Sequence, residues 1–227
     1  VYFADKAISV LLLINPDNPS GNFIPLADLL PLIEWARDRG ITMVVDESFV
    51  DFTDDFSGNS LLHNHILEAH SNLVVVKSIS KSYGVPGLRL GVLASGNKTL
   101  IAQMKKEVAI WNINSFAEFY MQIFGKYEKD YTIACHKFIE ERGIFFKELQ
   151  AVPYLRVIPS QANYFLCEVT GRYTATELTQ LLLKRYNILI KDCGTKSAFV
   201  GKQYIRIAIR DRVDNAYFVE ALKALAE

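Results

Sequence analysis

Short apolar runs punctuate the first hundred residues, and each ends abruptly in polar side chains. Ile8–Ile14, Ile41–Val45, Leu73–Lys77 and Leu88–Ala94 are hydrophobic almost throughout and do not alternate with polar positions, the pattern of strands buried on both faces. Between the first two, Leu26–Arg39 repeats apolar residues at helical spacing and closes on basic residues followed by Gly40, a normal helix stop. The intervening Asn15-Pro16-Asp17-Asn18-Pro19-Ser20-Gly21 holds too many turn formers for regular structure. This order predicts an α/β fold with a mostly parallel sheet, and such sheets place ligands beyond the C-terminal ends of their strands. Asp46-Glu47 and Ser78-Ile79-Ser80-Lys81 stand at such ends, the latter followed by the turn-prone Gly84-Val85-Pro86-Gly87.

The texture changes from Ser115 onward. Helical patterns run to Lys126 and again over Thr132–Gln150, and the domain boundary is placed near residue 125. Beyond it, strands at Arg156–Ile158, Asn163–Val169, Ile188–Lys191 and Tyr204–Ile209 accompany helices at Thr174–Arg185 and Val213–Leu225, giving a small α+β domain. The expected division is therefore 1–125 and 126–227, with no repeats and no low-complexity tract.

Composition narrows the function. Half of the 227 residues are hydrophobic, enough for a sizeable core. Lysine plus arginine equals aspartate plus glutamate at 25 each, so no net field draws the chain to nucleic acid or to an anionic membrane. Cys135, Cys167 and Cys193 lack metal-ligand spacing, and an odd count argues against a disulfide framework, so a reducing cytoplasm is expected and no metal. No apolar run is long enough to span a bilayer.

Four short motifs carry chemistry together. Asn-Pro-Asp-Asn-Pro-Ser-Gly, Val-Asp-Glu-Ser-Phe, Ser-Ile-Ser-Lys followed by Gly-Leu-Arg-Leu-Gly, and a late Tyr-Ile-Arg-Ile occur in the order and approximate spacing of class I/II aminotransferases. The chain resembles the C-terminal two-thirds of that family. The resemblance implies the fold of the type I pyridoxal-phosphate enzymes, pyridoxal 5'-phosphate as cofactor, an amino-acid substrate and a homodimer. It further implies that Lys81 forms the Schiff base and shuttles the proton, that Asp46 holds the pyridine nitrogen protonated, and that Asn18 donates to the phenolic oxygen. Ser78, Ser80 and Arg89 match the phosphate cup, and Arg206 matches the residue that clamps the substrate carboxylate.

Each residue also has a plainer role open to it. Lys81 could be a surface lysine, Asp46 a helix cap or buried ion pair, Asn18 a turn residue and Arg206 a solvated edge-strand arginine. Arg210 shares the face of Arg206 by period-two geometry if the strand reaches it, as a second anion site or a surface group. Glu47 reads as structural.

Phe49 departs from the family, many of whose members place a tyrosine there to bond the phenolic oxygen. Asp-Glu-Ser-Phe-Val-Asp-Phe, Trp111-Asn112-Ile113-Asn114 and Ile-Leu-Ile-Lys-Asp-Cys resemble most the branch containing histidinol-phosphate aminotransferase and threonine-phosphate decarboxylase. An aminotransferase is the first expectation, with a phosphoamino-acid decarboxylase or an inactive truncated piece of either as alternatives. The family's upstream phosphate-binding turn and its ring-stacking aromatic residue have no match here, so weak cofactor binding is expected of these 227 residues alone.

Overall fold

A computed structural model describes residues 6–194 and 196–226. The chain divides into two compact units, one formed by 1–16 with 23–135 and the other by 17–22 with 136–227.

The first unit is built on a four-stranded sheet ordered β1-β2-β3-β4, from Val10–Ile14, Thr42–Asp46, Leu73–Ser78 and Gly91–Ala94. The first three strands run parallel and β4 returns antiparallel. Helix α1 (Leu26–Arg37) buries Leu29, Ile33 and Ala36, spaced i, i+4 and i+7, against Met43 and Val45 of β2 and Leu73 and Val75 of β3. Its end is set by Gly40 at φ +67°, and the Ile41 amide turns back to the Ala36 carbonyl.

Two expectations need correction. The Ile8–Ile14 run is not buried on both faces: Val10 and Leu12 are exposed while Ile8, Leu11 and Leu13 pack inward, because β1 is an edge strand covered on one side among the described residues. The strand expected at Leu88–Ala94 begins only at Gly91. Pro86–Leu88 form a 3-10 turn and Arg89 is left-handed at φ 56°, which breaks the extended run. Helices α2 (Asn64–Ala69) and α3 (Lys98–Glu107) lie in stretches whose polar character had hidden them. Asn114 caps α4 (Ser115–Phe124) by accepting the Ala117 amide, and Ala117 packs with Ile79 and Leu90.

Helix α5 (Glu128–Gln150) contributes its start, through Cys135, to the first unit and the remainder to the second. The position near 125 suggested by sequence falls in the break between α4 and α5.

The second unit carries an antiparallel sheet ordered β5-β6-β8-β7, from Leu155–Val157, Tyr164–Val169, Tyr204–Ala208 and Lys191–Asp192. Helices α6 (Ala175–Tyr186) and α7 (Arg212–Ala224) close over Phe165, Cys167, Ile205 and Ile207 with Leu178, Leu182, Phe218 and Leu222. A Thr174/Glu177 capping box starts α6, and left-handed Asn187 ends it. Because that turn consumes the following residues, the strand expected at Ile188–Lys191 is reduced to Lys191–Asp192. All three cysteines are free and buried.

Candidate functional site

The sequence candidates fall into two groups, one in each unit. In the first, Asp46 closes β2, in register with Ile14 on one side and Val76 on the other. Its Oδ1 accepts both the Ser48 amide, at 2.9 Å, and the Ser48 hydroxyl. The Ser48 oxygen in turn accepts the Ser78 amide at 3.0 Å, so one hydroxyl ties the end of β2 to the end of β3. Oδ2 of Asp46 makes no hydrogen bond among the described residues, which leaves one carboxylate oxygen for an external donor.

Asp46, Ser48, Lys77, Ser78, Arg89 and Gly91 line an open depression of about 480 Å³. The left-handed backbone at Arg89 brings its exposed side chain there, anchored by one bond of 3.0 Å from Nη1 to the Pro86 carbonyl. Ser80 is buried, Lys81 is exposed, and neither is among the lining residues. The Lys81 ammonium lies 6.0 Å from the centroid of the Phe49 ring, three residues beyond Asp46.

The second group joins the asparagine loop to β8. Asp17 organises the loop: its carboxylate accepts the Ser20 amide and hydroxyl, and its carbonyl accepts the Gly21 amide at 2.8 Å. Asn18 is thereby presented to Arg206, whose Nη1 donates to Asn18 Oδ1 at 2.8 Å. The guanidinium carbon also lies 5.0 Å from the Tyr164 ring centroid, and the Tyr164 hydroxyl donates to the Asp17 carbonyl at 2.8 Å. With its oxygen engaged, Asn18 keeps its amide N–H groups for another acceptor, and Arg206 keeps donors for an anion. Arg210 lies past the end of β8 at Ala208 and pairs with Asp214, an exposed i,i+4 ion pair, so its charge is already matched.

Glu47 is structural. It is 1% exposed, and its two oxygens accept the Leu61 amide and the Ser60 hydroxyl. Sequence reasoning missed Ser48, Asp51, Lys77 and Ser82. Asp51 accepts Lys77 Nζ on one oxygen and the Ser82 hydroxyl on the other, each at 2.6 Å. The available signal was a lone carboxylate between Val50 and Phe52 and a lone lysine after Val74-Val75-Val76, charges that need partners in such surroundings.

A carboxylate with a free oxygen, a serine hydroxyl and a guanidinium around one depression suit a ligand that carries both a protonated ring nitrogen and a phosphate. Those donors fit the pyridoxal-phosphate enzymes of fold type I, and the comparisons with known proteins agree. Residues 4–222 match the model of the family described as aminotransferase class I and II, and the chain belongs to that family, whose cofactor is pyridoxal 5'-phosphate.

The chain is 34% identical over 217 residues to the CMP-5'-(3-aminopropyl)phosphonate synthase of Streptomyces rubellomurinus, covering 96% of this chain and 34% of that protein. It superposes on the L-threonine-O-3-phosphate decarboxylase of Porphyromonas gingivalis with a TM-score of 0.84 at 27% identity, covering 99% of this chain and 66% of that one. The histidinol-phosphate aminotransferase of Clostridium acetobutylicum is similar with a TM-score of 0.85 at 29% identity, covering 96% and 64%. The chain thus spans less than two thirds of each of these proteins. No helix among the described residues is long and apolar enough to cross a membrane.

Proposed function

We propose that the protein is an aminotransferase that converts an amino acid through Lys81 and assembles as a homodimer in the cytoplasm. When bound, pyridoxal phosphate supplies an electron sink for the substrate's α-carbon. Asp46 Oδ2 is assigned the ring nitrogen, which it keeps protonated. Ser78, Ser80 and Arg89 are assigned the phosphate, Asn18 the phenolic oxygen through its free amide N–H groups, and Arg206 the substrate carboxylate. Lys81 is assigned to take the α-proton as a base and return it as an acid.

The Arg206–Asn18 pair carries this reading. Transamination would require the substrate carboxylate to be held in one fixed orientation, so that the α-proton and not the carboxylate is presented to Lys81. A guanidinium already fixed by Asn18 and the Tyr164 ring can offer its remaining N–H groups to a carboxylate at small entropic cost.

Decarboxylation of a phosphoamino acid is the second reading. It is favoured by Phe49, which sets a ring rather than a hydroxyl beside Lys81, and by the likeness to a threonine-phosphate decarboxylase. In that case a distal phosphate would occupy the basic residues and leave the carboxylate unclamped. The test is to incubate the natural protein carrying this sequence with amino acids and phosphoamino acids while following keto acid and carbon dioxide in parallel. Keto-acid formation is expected. Stoichiometric carbon dioxide without keto acid overturns the aminotransferase in favour of the decarboxylase.

A further inference from the structure

Lys77 is a second lysine beside the candidate site. It stands four residues before Lys81, lines the same depression as Asp46, and is the last residue but one of β3. Its side chain carries the same primary amine as Lys81. What separates the two lysines is Asp51, on the 3-10 turn Val50–Phe52 that follows β2.

Asp51 Oδ1 holds the Lys77 ammonium at 2.6 Å, with both side chains at least nine-tenths buried. Oδ2 accepts the hydroxyl of Ser82, the residue directly after Lys81, also at 2.6 Å. One carboxylate therefore fixes the segment 77–82 at both ends. Lys81, between these anchors, has no ion pair among the described residues and is exposed. Tyr83 stacks on Tyr131 at 4.4 Å beside this carboxylate, and burial first, then the Asp51 charge, pushes the Tyr83 phenol up to about 12.

We propose that Asp51 is a positioning residue that makes Lys81 the reactive lysine: it keeps Lys77 as a paired ammonium while tethering the turn that presents Lys81 through Ser82. This rests on the assignment of Lys81 under the proposed function. Imine formation needs a neutral amine, whose lone pair adds to the carbonyl carbon with loss of water. A buried lysine in a close ion pair keeps its proton, whereas the same lysine without its counter-charge sheds it readily. Glu47 also lies within electrostatic reach of Lys77, but both its oxygens are already engaged by Ser60 and Leu61.

Reductive methylation of the cofactor-free full chain with formaldehyde and cyanoborohydride, resolved by peptide mass mapping, reads each lysine without reference to activity. In the unsubstituted chain Lys81 is expected to react and Lys77 to stay protected. Asp51→Asn should raise Lys77 methylation about tenfold or more, because a buried ammonium that loses its counter-charge is left uncompensated. Asp51→Glu should restore protection. Equal Lys77 reactivity in the unsubstituted chain and in Asp51→Asn, with matching circular dichroism, overturns the proposal.

Should Asp51→Asn fail to fold, Ser82→Ala removes only one hydroxyl. It is expected to leave Lys77 protected while speeding amide exchange over 80–84 by about threefold or more, the loss of one hydrogen bond. Unchanged exchange there overturns the tether. A separate arm fixes pyridoxal phosphate with borohydride in the unsubstituted chain. Label fixed at a lysine other than Lys81 refutes the functional assignment, whereas the Lys77 comparison judges Asp51 alone.

Discussion

Asp46 and Glu47 are adjacent carboxylates in opposite settings. Asp46 keeps an oxygen for an outside partner, whereas Glu47 is buried, and burial raises its pKa above the usual 4.5 against the lowering pull of Leu61, Ser60 and Lys77. A carboxylate whose folded pKa is raised binds its proton more tightly when folded than when unfolded. Its contribution to stability is therefore greatest below the unfolded value and is lost as pH rises through the folded one. Glu47→Gln, which stays neutral, should gain stability relative to the unsubstituted protein between pH 4 and pH 7, read from denaturant midpoints at the two values. A pH-independent difference would mean that Glu47 keeps its ordinary affinity for protons. For the neighbouring candidates, Lys81→Ala should abolish turnover and covalent fixation of cofactor by borohydride, while Asp46→Ala should keep some cofactor and lose activity by about a hundredfold or more. Fixation at another lysine in the unsubstituted protein would remove Lys81 from its role, and normal turnover in Asp46→Ala would remove Asp46 from its own.

At the scale of elements, the asparagine loop depends on backbone as much as on side chains. Gly21 sits at φ +73°, and a Cβ there would stand 2.0 Å from the Ser160 hydroxyl oxygen and 3.1 Å from Ser160 Cα. Gly40 has a similar φ of +67° but open space around it. Gly40→Ala should therefore cost about 1 kcal/mol, the left-handed penalty alone, and Gly21→Ala about 2–5 kcal/mol because overpacking is added. Equal losses in chemical denaturation would show that Ser160 yields freely. Elements of this kind mark what the chain discloses. The buried face of α1, the polar ends of β2 and β3 and the strand bearing Arg206 follow from periodicity, because apolar spacing fixes which side faces a core. The exposure of Val10 and Leu12 does not, since a hydrophobic run is the same string whether one or both faces are covered. Nor does the left-handed Arg89, which a 3-10 turn imposes from outside the residue. Ser48 and Asp51 escaped because their importance lies in long-range partners, Ser78 and the Lys77–Ser82 pair, which no local pattern names.

At the scale of the molecule, the segment from Val108 to Met121 bears on assembly. Ile110 is 95% exposed and Trp111 91%, and Ile113, Phe116, Phe119 and Met121 are exposed with them, although Ala117 of the same helix is buried. So many large apolar side chains at the surface over a dozen residues exceed the scatter of single exposed hydrophobics in monomers, and the burial of Trp or Phe against a partner contributes strongly to association. A second copy of the chain is the partner that the proposed homodimer calls for. Because Trp111 and Phe116 stand out in solvent, replacing both with lysine removes apolar surface and adds like charges without touching either core, so Trp111→Lys with Phe116→Lys should leave the melting temperature of the monomer unchanged. Sedimentation over a range of concentrations should show the unsubstituted chain as a dimer and the double variant shifted to monomer, with its dissociation constant weakened about a hundredfold or more, as for truncation of hot-spot aromatics. A double variant that dimerises as tightly as the original would place the interface elsewhere, and an unsubstituted chain that remains monomeric at every concentration would remove the homodimer from the proposed function.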